Sequence, residues 1–374
     1  MKVEKIYHLA DLHIRNYQRH DEYRKVFNKF LKNVERDGIE NSVIYIAGDI
    51  AHAKTDMSPE LVSEISWFLT ECSKLREVVL ITGNHDCNLN NSSRLDVLTP
   101  IVDNLNNKRI HYLKDTGVYN IHNLTFVVYS ILDDKENWPT GDSISGENKI
   151  CLFHGPVNKA QTDIGYTVSS DSFTTEIFDG FDMVLLGDIH KRQVLKESNP
   201  VIVYAGSTVQ QNHGELLDGH GYLLWDVTSR TFTEHDLYNE YGYLTVDVDN
   251  GKIPNWVITE SNSGKLPTKP RIRLRYSNTN KSEITKVITE LKKLFNVVEV
   301  TVTRTDTVSK SNIGGLVNKN IVGNVHDLDY QNKLLQDFLN FKISVSSTDI
   351  DDILKIHKEI HSQIDTTDFA ENIL

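Results

Sequence analysis

The strongest constraint on what this chain can fold into is one repeated local pattern: a short apolar run that stops at a residue able to bind a cation. The pattern occurs nearly verbatim twice, as "IYIAGDIAH" at 44–52 and "DMVLLGDIH" at 182–190. Runs of five to eight residues rich in Val, Ile, Leu and Tyr, closed by Gly, Asp or Asn, read as buried strands. Eight such runs precede residue 240: "EKIYHLA", "SVIYIAG", "EVVLITG", "LTFVVYS", "KICLFHG", "DMVLLG", "VIVYAG" and "GYLLWDV". Two helical stretches separate the first three. "EYRKVFNKFLKNVERDG" sets Phe27, Phe30, Leu31 and Val34 on one face and stops at Gly38, and "SPELVSEISWFLTECSKLR" offers Ser58 as N-cap with Pro59 at the first helical position. Strand, helix, strand, helix, strand is the order of a layered α/β core. The later strands come closer together with few helices, which predicts a second sheet packed on the first.

The residues just past each strand carry the chemistry. After "IYHLA" come Asp11 and His13; after "IYIAG", Asp49 and then His52; after "VVLITG", Asn84, His85 and Asp86; after "CLF", His154; after "VLLG", Asp188 and His190. In open α/β sheets ligands bind where the strands end and the loops diverge. Asp, Asn and His suit manganese, iron or zinc, and a carboxylate such as Asp49 can bridge two cations. A pair of metals ~3.5–4 Å apart is the device for in-line attack on a phosphoester. Taken singly, a Gly-Asp after a strand is ordinary turn chemistry, and a lone histidine such as His154 is more often a hydrogen-bonded core residue. Five strand ends in order, each delivering an oxygen or nitrogen ligand, point to a metal site instead.

The motifs "DLH", "GDIAH", "GNHD", "FHG" and "GDIH" resemble those of the calcineurin-like metallophosphoesterase superfamily. Within it, the opening "HLADLHI", the stretch "YAGSTVQQNHGE" with "HGYLLWD" after it, and a small β-α-β module followed by helices are most similar to the SbcD-type double-strand-break repair nucleases and their phage and viral counterparts. The resemblance implies an α/β fold, a four-layer αββα sandwich with a capping module and a C-terminal helical tail. It implies one metal held by Asp11, His13, Asp49 and His190, and a second held by Asp49, Asn84, His154 and Asp188. His85 would contact the scissile phosphate and help protonate the leaving oxygen, with His52 beside it. Many relatives carry a histidine where this chain has Asp188. A carboxylate there is a harder ligand, favouring manganese or magnesium over zinc.

Charge and composition frame the rest. The net charge of −12 argues against a protein that simply coats nucleic acid. Residues 265–310 nevertheless hold eleven Lys/Arg against four Asp/Glu, whereas residues 324–374 hold four against ten. Any polyanion contact is therefore expected to be local, on a module at 241–320 that follows a catalytic domain at 1–240 and precedes a helical tail at 321–374. The module is read as the strand "RIRLRYS", the helix "KSEITKVITELKKLF" and the strand "VVEVTVTR", entered through the connector "NWVITESNSGKLPTKP". Arg271, Arg273 and Arg275 alternate along its first strand; the expectation is DNA contact there and at Lys191 and Arg192, against the plainer reading of a solvated sheet face. In the tail, "NKLLQDFLNF" and "DIDDILKIHKEIHSQI" are amphipathic and either fold back or grip a partner.

Three cysteines without metal spacing, no apolar run near the ~20 residues that span a bilayer, and charges where a signal peptide would be apolar predict a soluble intracellular protein of a bacterial or virus-infected cell. The combined expectation is a manganese-dependent DNA nuclease, acting on duplex ends and on single strands or hairpins. Its partners would be an SbcC-like coiled-coil ATPase and a second copy of itself. A phosphatase on the same fold and a non-catalytic scaffold are the alternatives.

Overall fold

A computed structural model describes residues 2–305, apart from positions 55, 92, 93 and 172. In chain order its strands are β1 (Lys5–Leu9), β2 (Ser42–Ile46), β3 (Glu77–Leu80), β4 (Ile110–Tyr112), β5 (Gly117–Ile121), β6 (Leu124–Tyr129), β7 (Lys149–His154), β8 (Met183–Gly187), β9 (Gln193–Glu197), β10 (Val201–Tyr204), β11 (Gly221–Asp226), β12 (Thr231–Asp236), β13 (Tyr241–Asp249), β14 (Lys269–Ser277) and β15 (Glu299–Arg304). The helices are α1 (His20–Asp37), α2 (Pro59–Leu75), α3 (Leu98–Leu105), α4 (Asn255–Asn262) and α5 (Lys281–Leu294).

Two six-stranded sheets, ordered β12-β11-β1-β2-β3-β4 and β5-β6-β7-β8-β10-β9, stack face to face. β1 to β4 run parallel, as do β6, β7, β8 and β10, so each sheet collects several strand C-termini at one rim. Alternation of side chains along each strand fills two layers at once. Ile6, Val43, Tyr45 and Trp225 of the first sheet meet Phe126, Ile150, Leu152 and Leu185 of the second in a dry interior. Tyr7, Ile44 and Val78 face outward against Phe27 and Phe30 of α1 and Ile65 and Phe68 of α2. The helix starts agree with the sequence pattern: Pro59 opens α2, and the Ser58 hydroxyl accepts from the Leu61 amide at 3.1 Å. The outer face of the second sheet carries the fourth layer, made here of short 3-10 turns and loops that bring Trp138, Phe173 and Phe178 onto Tyr129 and Phe153.

The capping module differs from the expectation in one respect. Its sheet is three-stranded and fully parallel, β13-β14-β15, and the supposed connector contains α4. The module is thus β-α-β-α-β, with α4 and α5 packing Val257, Val287 and Leu291 on Val246, Ile272 and Leu274. The two tail helices expected from the sequence, and residues 306–320, lie outside the described residues.

Candidate metal centre

The two sheets converge at the rim where β1, β2, β3, β7 and β8 end, and their main chains come close to touching there. A Cβ on Gly187 would overlap the Ala47 carbonyl oxygen, and one on Gly48, whose φ is +80°, would lie 2.6 Å from His154 Nδ1. Glycine in each copy of the repeated phrase is therefore a requirement of the crossing: only without side chains can the end of β2 pass the end of β8 this closely. The neighbouring residues are bent sharply inward. Asp11, His13, Asp49 and Asp188 all have positive φ (52°, 46°, 51° and 96°), a conformation that costs non-glycine residues of order 1–3 kcal/mol each and that recurs at functional sites.

These turns bring seven polar groups into one cluster. Asp49 reaches both sides of it, with Oδ2 3.4 Å from His13 Nε2 and Oδ1 3.3 Å from His154 Nε2. On the first side His13 Nε2 lies 3.0 Å from His190 Nε2, and Asp11, His13 and His190 present atoms close enough to hold one ion. On the second, the Asn84 amide donates to Asp188 Oδ1 at 3.1 Å, and His154 Nε2 lies 3.8 Å from that same oxygen. Asp11 carboxylate oxygens accept from the Asp188 amide at 3.1 and 3.2 Å, which ties the two sides together.

Three imidazoles are held by their far nitrogens. His154 Nδ1 donates to the Ala47 carbonyl at 2.7 Å, His85 Nδ1 to the His52 carbonyl at 2.7 Å, and His190 Nδ1 to the Glu215 carboxylate at 2.8 Å. Each ring is thereby fixed with Nε2 turned away from its anchor, the arrangement that orients imidazole ligands at metal sites. Glu215 is itself buried and braced by the Gln211 amide at 2.7 Å and the Asn212 side chain at 2.8 Å.

The electrostatics call for positive charge. Burial pushes Asp11 up to about 7, and burial followed by the Asp49 charge raises Asp86 likewise to about 7. Asp188 is raised by burial first, with Asp49 adding to it against His154. Asp49 is also buried, but His154, His13 and the His85 amide outweigh that and hold it below the usual carboxylate range. Burial opposes a charge on His190 too, yet its Glu215 hydrogen bond raises it to about 9. Two candidate ligand atoms, Asn84 Oδ1 and His154 Nε2, are buried with no hydrogen-bond partner, although Asp49 Oδ1 approaches Nε2 at 3.3 Å and, against burial, its charge raises the His154 pKa. Buried polar atoms left without a hydrogen bond beside crowded carboxylates are what cations, displacing the proton of His154, would satisfy, so the residues present fit a pair of divalent metals.

The cluster opens on a cavity of about 350 Å³ lined by His13, Asp49, Asn84, Asp188 and His190 together with His52, His85, Arg15, Gln211 and Asn212. His52 and His85 stack at 5.4 Å between ring centroids, so both catalytic candidates stand at the mouth. Asp86, by contrast, is structural: its carboxylate accepts from Ala51 and Gly83 amides and clips the β2 loop to the β3 loop.

The five cations expected at DNA divide. Arg271 is 8% exposed and bonds Glu22 of α1 at 2.9 Å, so it is an internal clasp and does not face solvent. Arg192 is likewise spent on Asp236 at 2.7 Å and Glu234 at 3.3 Å. Arg275 is exposed but paired with Asp247 in a two-pronged contact at 2.6 and 2.7 Å. Lys191 lines a recess beside Asp188 and His190, and Arg273 is exposed on β14 near His213. Alternation along "RIRLRYS" gave the strand but not which arginine was already engaged. Glu215 and Arg15 were missed as site residues, since both sit in loops without periodicity; their signal was proximity in sequence to "DLH" and the "QQNHGE" stretch.

Comparison with known proteins agrees with this site. The calcineurin-like phosphoesterase family model matches residues 4–192, which include every ligand candidate. An uncharacterized protein of Acanthamoeba polyphaga mimivirus is 39% identical over 312 residues, 80% of this chain but 22% of that protein, so the chain spans about a fifth of its relative's length. Among solved structures, the protein titled GAP50, the anchor in the inner membrane complex of Plasmodium, overlays with a TM-score of 0.35 at 9% identity, covering 80% of this chain and 96% of that one, too distant to support any statement on fold or function. The family match, with its ligand-bearing strand ends gathered in one buried cluster, shows that this chain belongs to the calcineurin-like phosphoesterases.

Proposed function

We propose that the chain is a DNA nuclease of this family, hydrolysing phosphodiester bonds with two divalent metals, manganese or else magnesium. The observation that carries the hydrolytic part is the set of strand-end carboxylates, imidazoles and amide gathered in one buried cluster. When bound, divalent ions supply charge that neutralises phosphoryl oxygens and acidifies water. Asp11, His13, Asp49 and His190 would hold one ion, and Asp49, Asn84, His154 and Asp188 the other. The remaining chemistry belongs to the mouth of the cavity. With Nδ1 donating to the His52 carbonyl, His85 exchanges protons only through Nε2, so it can hold a proton at that atom and deliver it to the departing oxygen. His52 is kept neutral, since burial and then the Arg15 and His85 charges lower it to about 4; it offers hydrogen bonding rather than charge.

DNA is favoured over a small phosphomonoester by what surrounds the cavity. The capping module is seated against the same loop that braces His190: the Gln210 side chain accepts from the Tyr243 amide at 2.7 Å and donates to the Glu215 carbonyl at 3.0 Å. Among the described residues neither Lys191, in the recess beside Asp188 and His190, nor Arg273, exposed on β14, forms a salt bridge, and such cations are what a polyanion would use. By the same reading the protein acts as the nuclease subunit of a recombination and repair complex, dimeric and joined to an SbcC-like coiled-coil ATPase.

The test is incubation of purified protein with linear duplex, single-stranded and hairpin DNA, and with 4-nitrophenyl phosphate, in manganese or magnesium. We expect cleavage of DNA, strongest in manganese. Hydrolysis of the monoester with no cleavage of any DNA would make the protein a phosphatase.

A further inference from the structure

We infer that Arg15 is the contact for a substrate phosphate next to the one being cut, so that the site is built for a chain of phosphodiesters; this rests on the nuclease reading above. Arg15 lies two residues past the ligand His13, and its side chain lines the metal cavity with His52, His85 and Gln211. Its Nε is buried with no hydrogen-bond partner, and Nη2 has only a long contact, 3.5 Å, to the Gln211 carbonyl. No carboxylate pairs with it among the described residues. A guanidinium is always charged, and burying part of one without an anion is costly. Nearby Arg19 shows how this fold engages an arginine that serves structure alone, with two bonds to Glu22 at 2.9 and 2.8 Å and one to the Gln210 carbonyl at 2.6 Å. Arg15 has no such engagement, and its planar fork matches two oxygens of a phosphate.

Its position selects which phosphate. The metal ligands and His85 surround the bond to be cut. Arg15 lines the same cavity beside His52 and Gln211, its Nη2 turned toward the Gln211 carbonyl, and it belongs to none of the groups placed to hold an ion. An anion held there is a different group on the same substrate. A phosphomonoester or an isolated diester has none to offer, whereas every internal linkage of a polynucleotide does.

Two substrates separate the readings: bis(4-nitrophenyl) phosphate, which carries only the reacting phosphate, and a single-stranded oligonucleotide, with versions bearing one neutral methylphosphonate at successive positions. For Arg15→Ala we expect a rise in KM of roughly 10- to 100-fold on the oligonucleotide, the loss of one charge-assisted contact, and a much smaller effect on the small diester, where only the change in charge beside His52 is felt. In metal-free buffer, fluorescence anisotropy should show weaker oligonucleotide binding, with the salt slope reduced by about 0.7. Arg15→Lys should recover part of it. In the wild-type protein, a methylphosphonate at one position beside the cut should reproduce the Arg15→Ala loss, and Arg15→Ala should no longer sense it. The wild-type half of that measurement needs no folded variant. Equal losses on both substrates, or an oligonucleotide series with no sensitive flanking position, would overturn the Arg15 assignment while leaving the nuclease intact. Cleavage of the small diester with none of any oligonucleotide would overturn both.

Discussion

At the scale of single residues, the centre is held by side chains anchored on the backbone or on one another. Asp49 touches histidines on both sides, so Asp49→Ala should lose both ions together; elemental analysis should show metal content falling in step with activity. Glu215 makes a contrasting case. It touches no substrate, but it holds His190 Nδ1, and Glu215→Ala should weaken metal binding by about 10- to 100-fold by calorimetry, with Glu215→Gln retaining part of the affinity. Asp188 tests the chemistry of the second ion: Asp188→His should still bind two metals and admit zinc more readily, whereas Asp188→Ala should need more manganese for half-maximal rate. A half-maximal concentration equal to wild type would make Asp188 a turn residue. The strand-end groups were legible because each directly follows an apolar run, and the backbone gathers them. Glu215 and Arg15 were not, because what identifies them is three-dimensional: one by the ring it braces, the other by the partner it lacks.

Among the elements, legibility followed burial. The eight apolar runs read as strands are β1, β2, β3, β6, β7, β8, β10 and β11, the inner strands of both sheets. Those without such a signal are β4, β5, β9 and β12, all at sheet edges, where one face meets solvent and runs such as "QVLKE" and "TFTEHD" need no apolar pattern. β13 and α4 were missed for a different reason: "YGYLTVDVD" follows the last strand of the core closely, and the Ser, Gly and Pro after α4 resemble a linker. The join between core and cap yields a prediction. Glu22 accepts from Arg19, from Arg271 of β14 and from Asn239, and Arg271 also lies over the Tyr241 and Tyr243 rings. Burial opposes the Glu22 charge, but the Arg19 and Arg271 partners hold its pKa below the ordinary value. A depressed carboxylate stabilises the fold fully above its unfolded pKa of about 4.3, and that contribution disappears as pH falls through the folded value. Urea midpoints of the wild type should therefore drop below about pH 4.3, and those of Glu22→Gln should drop less. Arg271→Ala leaves Glu22 partly unpaired in a buried place and should cost about 3 kcal/mol at neutral pH by denaturant titration.

On the scale of the whole molecule, neither sheet contains the site. The first contributes Asp11, His13, Asp49 and Asn84, the second His154, Asp188 and His190, and the two meet where glycine lets β2 and β8 cross. Ions seated there would bind only the assembled sandwich. Manganese at about a hundred times its dissociation constant should then add about 2.7 kcal/mol of stability, visible as a higher melting temperature that Asp49→Ala does not share. The crossing also gives those ions a mechanical part, that of a removable rivet added to the apolar contact and the few hydrogen bonds that join the two plates. Without it, the three crowded carboxylates of Asp11, Asp49 and Asp188 have no cation between them at that rim. Chelation should therefore speed amide hydrogen exchange first at 47–52, 83–86 and 187–190, leaving the central strands protected, so that the hydrolytic rim is also the hinge from which the sandwich begins to open.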